Sequence, residues 1–328
     1  MRRTLSEADA GFLQRALRVA AEADARAYPK PTVGAVVVSG GEVVGEAATE
    51  PGAAGRHAEP VALEAAGAPA RGGTLYVTME PCAHAGSTPP CVDAVLEAGI
   101  ARVVAGQNDP NPRVEGGGLE RLRAAGVEVA LADGELGFRC RQQLEEWRTW
   151  IASGRPFVTF KVAITLDGRV TVPGERWVTG EVSRRLVHLL RASSDAVAVG
   201  TGTVRFDNPR LDARDVPTPR GQPRRLAFGK RPLPEGSELE LRSGPLREEL
   251  EALAADGVQS LLLEGGPTLA AAFLEQDLVD KLLVFVAPKL SGEGPGMLAG
   301  LPGKRDLVRL EARSVGEDVL LQGYLREP

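Results

Sequence analysis

Four residues between positions 57 and 91 have the types and spacing of a catalytic metal site. His57 and Glu59 stand two residues apart at the start of a predicted helix, and Cys82 and Cys91 each follow a proline. One imidazole and two thiolates give a zinc ion three protein ligands, which leaves the fourth tetrahedral position for water. Zinc lowers the pKa of bound water to about 7, so hydroxide forms at neutral pH. The pattern predicts a zinc ion held by His57, Cys82 and Cys91.

Glu59 is the predicted proton carrier of this site. A carboxylate two residues past His57 can reach the bound water without binding the metal, and can deliver a proton to a ring nitrogen and to a departing amine. The arrangement is typical of zinc nucleobase deaminases, although residues 83–90 form a longer spacer than their signature has. Both cysteines are expected at helix N-termini, where the dipole favours the thiolate.

Two other interpretations of these residues stay open. A structural zinc site needs a fourth protein ligand, which His84 could supply. A buried cysteine is also often a small apolar residue and nothing more, as we expect for Cys140. The combination favours catalysis, because two of the three histidines and two of the three cysteines of the chain lie between positions 57 and 91.

The overall composition limits which classes of partner and which cellular compartment are expected. A net charge of -5 gives no general attraction to nucleic acid. No apolar run reaches the length of a membrane span or signal peptide, so no membrane partner is expected. Three cysteines without a secretion signal indicate reduced thiols or metal ligands rather than disulfides. The predicted location is the cytoplasm, and the predicted partners are small molecules.

The hydrophobic pattern predicts an α/β protein of two domains, 1–150 and 151–328. A chain of 328 residues is longer than one core usually serves. Ser6 begins an amphipathic helix, residues 33–45 form a hairpin, and residues 57–66 form a helix that tolerates Pro60 in its first turn. Strands and helices then alternate in both halves, with the boundary near residues 154–156.

Longer motifs resemble the bifunctional riboflavin-biosynthesis deaminase/reductases of bacteria. The first half carries Glu80-Pro-Cys-Ala-His-Ala-Gly-Ser-Thr-Pro-Pro-Cys91 and Asp109-Pro-Asn-Pro112. The second half carries Lys161-Val-Ala-Ile-Thr-Leu-Asp-Gly-Arg169, Trp177-Val-Thr-Gly180 and Glu264-Gly-Gly-Pro-Thr268. These blocks are similar to that family in the same order and extend over nearly the whole chain.

The resemblance implies a fold and two reactions. The first domain would be a cytidine deaminase-like three-layer α/β/α domain, and the second a dihydrofolate reductase-like α/β domain. The first would use zinc to deaminate a 2,5-diamino-6-ribosylamino-pyrimidinone 5'-phosphate by hydrolysis. The second would use NADPH to reduce the ribosyl group to a ribityl side chain. The family also implies a homo-oligomer.

The family's binding residues map onto both halves of this chain. The implied substrate contacts are His84, Arg191, Leu211, Arg214 and Glu264. The implied NADPH contacts are Ala163, Trp177, Thr203, Asp207, Gly265, Gly266, Pro267 and Thr268. Glycines between a strand and a helix let backbone N–H groups approach a phosphate, and arginine forks suit phosphate oxygens.

The chain departs from the family at several positions. Lys30 stands where the family usually has Asn, Ser87 where it has Lys or Arg, and Thr49-Glu50 where it has a His. The stretch between residues 214 and 264 is also shorter. One hypothesis is that Lys30 supplies the cation that Ser87 lacks. The alternative functions are a zinc deaminase of a different pyrimidine-like substrate with a weak or inactive reductase domain, and a zinc-stabilised interaction protein without activity.

Overall fold

The computed structural model describes residues 5–84, 89–111, 117–301 and 303–328. The chain divides into two compact units, Met1–Ala152 together with Pro328, and Ser153–Glu327. Each unit combines a β-sheet with packed helices. The chain is therefore an α/β protein.

The first unit is built on a five-stranded mixed sheet. Its strands are β1 (Gly34–Ser39), β2 (Glu42–Ala48), β3 (Thr74–Val77), β4 (Arg102–Ala105) and β5 (Glu128–Leu131). The order is β2-β1-β3-β4-β5, in which β1 is antiparallel to both of its neighbours and β3, β4 and β5 are parallel. The predicted hairpin is present, and its turn consists of two glycines with positive φ, Gly40 and Gly41.

Helices cover both faces of this sheet. They are α1 (Glu7–Ala27), α2 (Ala58–Ala66), α3 (Cys91–Glu97), α4 (Gly118–Ala124), α5 (Gly134–Gln143) and α6 (Glu145–Ser153). Alternate strand residues point to opposite faces. One set packs in a core with α2, α3 and α4, and the other set packs with α1 and α5. The three layers follow from this alternation.

A buried ion pair fixes α1 to the sheet. Asp9 is 5% exposed and accepts hydrogen bonds from the Arg102 guanidinium at 2.6 and 3.1 Å and from the Tyr76 hydroxyl at 2.9 Å. It also forms a capping box with Ser6, the N-cap residue that the sequence predicted as the helix start. The Arg102 guanidinium lowers the pKa of the Asp9 carboxyl well below its usual range.

The second unit contains an eight-stranded sheet. Its strands are β6 (Phe157–Thr165), β7 (Ala196–Gly200), β8 (Arg224–Phe228), β9 (Glu240–Arg242), β10 (Ser260–Gly265), β11 (Lys281–Ala287), β12 (Val308–Val315) and β13 (Asp318–Tyr324). The order is β12-β13-β11-β6-β10-β7-β8-β9. The strands from β11 to β9 are parallel, whereas β13 is antiparallel to both β11 and β12.

The parallel arrangement places several loops at one edge of this sheet. The helices of the unit are α7 (Glu181–Ser193), α8 (Thr201–Asp207), α9 (Leu246–Ala255) and α10 (Pro267–Glu275). Because β7 and β10 are adjacent and parallel, α8 and α10 begin side by side at the carboxyl edge. Such edges are where α/β sheets bind ligands.

A buried ion pair joins the start of β6 to the start of β11. The Arg155 guanidinium donates to both carboxylate oxygens of Asp280, at 2.6 and 2.7 Å, and the Val158 N–H donates to the same carboxylate at 2.9 Å. Both charged side chains are at most 9% exposed. The pair therefore fixes the first residues of the second unit.

None of the helices in the described parts of the chain is both long enough and apolar enough to cross a membrane.

Candidate active sites

The predicted metal ligands converge in the first unit. His57 is the N-cap residue of α2, Cys91 is the first residue of α3, and Cys82 lies in the loop after β3. His57 Nδ1 lies 3.2 Å from Cys91 Sγ and 3.5 Å from Cys82 Sγ. Zinc–nitrogen bonds of about 2.0 Å and zinc–sulfur bonds of about 2.3 Å in a tetrahedron separate the donor atoms by roughly 3.5 to 3.8 Å. The donor set therefore fits zinc.

One of the three side chains, Cys82, already favours the ionised form that binds a cation. Hydrogen bonds from the Cys91 thiol and the His57 ring lower the pKa of Cys82 to about 4. The pKa of Cys91 is raised, because its thiol donates to Cys82 and is buried. The hydrogen bond to Cys82 raises the pKa of His57. A thiolate thus forms readily at the position where the metal binds.

Glu59 lies beside the ligands in a buried position. It is 3% exposed, and burial raises the pKa of its carboxyl to about 7, against the lowering effect of His57. The Cys91 side chain lies next to this carboxyl and lowers its pKa, although less than burial raises it. The carboxyl is therefore next to the metal ligands, in the place that a proton carrier requires.

The described residues offer three ligands for the metal and not four. His57, Cys82 and Cys91 are the group whose ligand atoms lie within 4.8 Å of one another. His84, the candidate fourth ligand, is exposed and is not part of that group in the described chain. Its charge instead acts on the nearby Asp109 carboxyl. A catalytic site with an open position fits this arrangement better than a structural site.

One sequence expectation about the cysteines was wrong. Cys91 does begin a helix, but Cys82 lies in an irregular loop. The thiolate character of Cys82 comes instead from hydrogen bonds, including one from the Cys91 backbone N–H at 3.3 Å. Its carbonyl also accepts from the Val92 N–H at 3.2 Å, so the first two residues of α3 hydrogen-bond both the side chain and the backbone of Cys82.

Sequence reasoning missed the role of Glu80. Its carboxylate, 8% exposed, accepts hydrogen bonds from the Asp109 N–H at 3.1 Å and from the Leu119 N–H at 3.0 Å. Leu119 lies in the first turn of α4, whose N-cap residue provides no side-chain cap. Glu80 therefore supplies the missing cap, and it also fixes Asp109 in the loop after β4. Glu80 itself stands two residues before the metal ligand Cys82. The signal was its place in the Glu-Pro-Cys motif.

A close backbone approach brings α4 to the metal loop. A Cβ atom added at Gly118 would lie 1.7 Å from the Pro81 carbonyl oxygen, so only glycine fits there. This glycine lets the first turn of α4 lie directly against the residue that precedes Cys82.

The positions that depart from the family have defined contacts where the structure describes them. The Lys30 ammonium donates to the Gly55 carbonyl at 2.6 Å, and its charge acts on His57. Thr49 is buried, and its hydroxyl accepts from the Val33 N–H at 2.9 Å. Ser87 lies outside the described residues.

Three charged residues of the second unit form a buried cluster at the end of β10. The Arg191 guanidinium donates to both carboxylate oxygens of Glu264, at 2.5 and 2.9 Å, and Lys161 Nζ lies 3.8 Å from the same carboxylate. Burial opposes the ionisation of Glu264, but these two cations outweigh it and lower its pKa. Burial lowers the pKa of Lys161. This residue of β6 belongs to a motif noted in the sequence, but its role was not indicated there.

The remaining predicted substrate contacts lie next to this cluster. Arg191 also donates to the Asp212 carbonyl at 3.1 Å, and the Asp212 carboxylate binds the Arg214 guanidinium. Leu211 precedes it with a positive φ of 56° and is 2% exposed in the core. The structure therefore brings all four predicted residues of the second unit into one region.

Several predicted cofactor residues meet at the carboxyl edge of the second sheet. Gly265 and Gly266 have positive φ values and connect β10 to α10. A Cβ atom at Gly266 would lie 2.8 Å from Thr203 Oγ1, so the two turns approach closely. Pro267 and Thr268 then form the first turn of α10. The geometry resembles other turns at which a helix N-terminus binds phosphate.

The other predicted cofactor residues occupy different positions. Trp177 is 50% exposed and lines a pocket of about 510 Å³ together with Arg184, Lys289 and Asp318. The Arg176 and Arg184 guanidinium groups lie 5.0 and 5.5 Å from its ring centroid. Ala163 lies on β6, and Asp207 is the last residue of α8.

Fold and site together define a zinc-dependent deaminase domain followed by a reductase domain. Residues 6–107 match the family model for the cytidine and deoxycytidylate deaminase zinc-binding region, and residues 156–321 match that for the RibD C-terminal domain. A riboflavin biosynthesis protein RibD from Aquifex aeolicus is 36% identical over 97% of this chain and 98% of its own length. The chain belongs to the RibD family of riboflavin biosynthesis proteins.

Two solved structures support the same assignment over the whole chain. Acinetobacter baumannii RibD has a TM-score of 0.84 and 31% identity, covering 97% of this chain and 99% of that one. A Thermotoga maritima diaminohydroxyphosphoribosylaminopyrimidine deaminase/5-amino-6-(5-phosphoribosylamino)uracil reductase has a TM-score of 0.80 and 32% identity, covering 97% and 98%. The predicted family, two-domain fold, zinc and bifunctional enzyme class are confirmed, and the reductase domain implies NADPH.

Proposed function

We propose that this chain catalyses two successive steps of riboflavin biosynthesis. The first is hydrolytic deamination of a 2,5-diamino-6-ribosylamino-pyrimidinone 5'-phosphate, and the second is NADPH-dependent reduction of its ribosyl group to a ribityl group. The observation that carries the proposal is the convergence of His57, Cys82 and Cys91 beside buried Glu59, in a chain that also carries a RibD reductase domain.

The residues of the first unit would divide the deamination between them. His57, Cys82 and Cys91 would hold zinc, which supplies a Lewis acid that activates water. Glu59 would accept one proton from the attacking water and pass it to a ring nitrogen of the substrate. It would then carry the hydroxyl proton of the resulting tetrahedral adduct to the amine, which leaves as ammonia while the carbonyl forms. His84, exposed two residues after Cys82, would contact the substrate.

The second unit would bind NADPH and the deaminated product at the carboxyl edge of its sheet. NADPH supplies the hydride. The cofactor contacts proposed are Ala163, Trp177, Thr203, Asp207, Gly265, Gly266, Pro267 and Thr268. The substrate contacts proposed are Arg191, Leu211, Arg214 and Glu264. The guanidinium groups suit a ribose phosphate because their planar forks match its oxygens.

A coupled assay tests both reactions on one sample. Purified protein with quantified zinc is given the diaminopyrimidinone ribosyl phosphate and NADPH, and ammonia and NADPH absorbance are followed. We expect both signals, and we expect Glu59→Gln to keep zinc and lose ammonia release while still reducing the deaminated compound. Ammonia without NADPH oxidation would support the alternative, a deaminase with an inactive reductase domain. No ammonia from the zinc-loaded protein would contradict the proposal.

Lys30 is proposed to contribute to substrate recognition in the deaminase domain. Its ammonium is near enough to His57 to influence that ring, and one hydrogen bond to the Gly55 carbonyl leaves further N–H donors on it. Lys30→Ala is expected to raise the KM for the phosphorylated substrate with zinc content unchanged. An unchanged KM would contradict the hypothesis.

We also propose the setting in which the enzyme works. Small pyrimidine ribosyl phosphates would be its partners, without nucleic acid or membrane, in the cytoplasm and as a homo-oligomer. The net charge of -5 supports the absence of nucleic-acid binding. Sedimentation of the purified protein measures the oligomeric state.

A further inference from the structure

A buried carboxylate at the start of β13 lies against the start of α7. Asp318 is 2% exposed, and its Oδ2 atom accepts hydrogen bonds from the Gly180 N–H at 3.0 Å and from the Ser183 hydroxyl at 2.5 Å. These two residues precede Asp318 by 138 and 135 positions. The turn between β12 and β13 therefore carries a hydrogen-bond acceptor to a helix that begins far from it in the sequence.

The start of α7 needs an acceptor from elsewhere in the chain. Its N-cap residue is Gly180, which as a glycine has no side chain to accept a hydrogen bond. In a capping box, the side chain of the third helical residue accepts a hydrogen bond from the N–H of the N-cap residue. Here the third residue is Ser183, and one oxygen of Asp318 accepts both from that N–H and from the serine hydroxyl. Asp318 thus replaces the missing cap.

The first turn of α7 in turn holds the segment that contains Trp177. Arg184 donates to the Thr179 carbonyl at 2.8 Å, and its guanidinium lies 5.5 Å from the centroid of the Trp177 ring. A guanidinium at this distance is attracted to the face of an aromatic ring. Trp177, Arg184 and Asp318 also line the same pocket. The position of the Trp177 ring therefore depends on where α7 begins, and Asp318 fixes that start.

We infer that Asp318 is a positioning residue for NADPH binding, because it holds the start of α7 and through it the Trp177 ring. The inference rests on the proposed role of Trp177 as a cofactor contact. Asp318 acts through Trp177, since its own carboxylate is buried and already accepts two hydrogen bonds. Without these bonds the Trp177 segment has the binding conformation in a smaller fraction of molecules, and the apparent affinity for NADPH falls by that fraction.

Substitutions at the cap distinguish this role from a general loss of stability. Asp318→Ala removes both hydrogen bonds and is expected to raise the KM for NADPH by about tenfold, with kcat for reduction of the deaminated compound nearly unchanged. Asp318→Asn keeps an oxygen that can accept from both donors and should restore most of the affinity. Ser183→Ala removes one of the two bonds, so it gives a milder variant with a KM raised by about threefold.

Arg155→Met is the matched control for stability. It breaks a buried ion pair at the start of β6, in the same unit but away from α7, and should leave the KM for NADPH unchanged. A raised KM in this control, or a wild-type KM in both Asp318→Ala and Ser183→Ala, would overturn the inference. An Asp318→Asn protein as impaired as Asp318→Ala would overturn the capping role as well.

A double-mutant cycle with Trp177 identifies the path of the effect. Trp177→Ala alone should raise the KM for NADPH, and Asp318→Ala should add little in that background, because both changes act through the same ring. Effects that multiply independently would overturn the inference and leave the cofactor role of Trp177 standing. A wild-type KM for Trp177→Ala would instead overturn that cofactor role, and with it the inference.

Discussion

Replacing Glu80 with glutamine should weaken both the deaminase domain and its activity. The carboxylate accepts one hydrogen bond from the Asp109 N–H and one from the Leu119 N–H, through different oxygens. Glutamine keeps the size and one acceptor oxygen, but its amide NH₂ group cannot accept from the second N–H. One of the two backbone donors therefore loses its partner.

The size of this effect follows from the burial of the site. Leu119 is 3% exposed and Glu80 is 8% exposed, so water replaces the lost bond poorly. A buried donor left unpaired costs about 1–3 kcal/mol. For a domain of this size, about 2 kcal/mol corresponds to a fall in Tm of roughly 4–8 °C. We also expect kcat/KM for deamination to fall by about tenfold or more, because small displacements of a catalytic site are costly.

Calorimetry and the ammonia assay measure the two effects on the same preparation. Glu97→Gln is the matched control, because Glu97 is an exposed residue at the opposite end of α3 from Cys91. That variant should behave as wild type, and both variants should bind zinc fully. A Glu80→Gln protein with wild-type Tm and wild-type deamination would refute the capping role.

Three further perturbations test other contacts. Arg155→Met should destabilise the second unit by up to about 3–5 kcal/mol, because it leaves the buried Asp280 carboxylate with only the Val158 N–H and the more exposed Arg326, 3.6 Å away. Adding Asp280→Asn should recover part of that loss in urea denaturation. Arg102 lowers the pKa of Asp9 in the folded state. The contribution of Asp9 to the free energy of unfolding is therefore complete above its unfolded pKa and is lost as the pH falls below about 4. Asp9→Asn should lose less stability than wild type at acid pH, by up to about 1.4 kcal/mol per pH unit. Chelation of zinc should lower the Tm of the first unit by several degrees and leave the Tm of the NADPH-bound second unit unchanged. A fall in both Tm values would contradict this expectation.

Local sequence patterns predicted the elements around the metal site well. Pro60 lies in the first turn of α2, as the sequence indicated. The helix predicted over residues 57–66 is observed at Ala58–Ala66, with His57 as its N-cap residue. The expectation for Cys82 was wrong, because a strand followed by proline and cysteine does not by itself show whether a helix begins. Helices α5 and α6 were not predicted. The apolar residues of α5 alternate as in a strand, and α6 is a short helix with few apolar residues.

Contacts between distant residues were the part that sequence could not provide. The family motifs indicated Arg191 and Glu264 separately, but their pairing depends on which strands are adjacent. Glu80 likewise reaches Leu119 only because β3 and β4 lie side by side. Periodicity records which face of an element is buried, and it carries no information about which element covers that face.

The contacts made by Glu80 have a consequence for how this domain can change over evolutionary time. Its carboxylate recognises peptide N–H groups at positions 109 and 119, which every residue except proline supplies. The hydrogen bonds that anchor these two positions therefore do not depend on which side chains stand there. The residue at position 109 can therefore change while Glu80 keeps its hydrogen bonds beside the metal ligands.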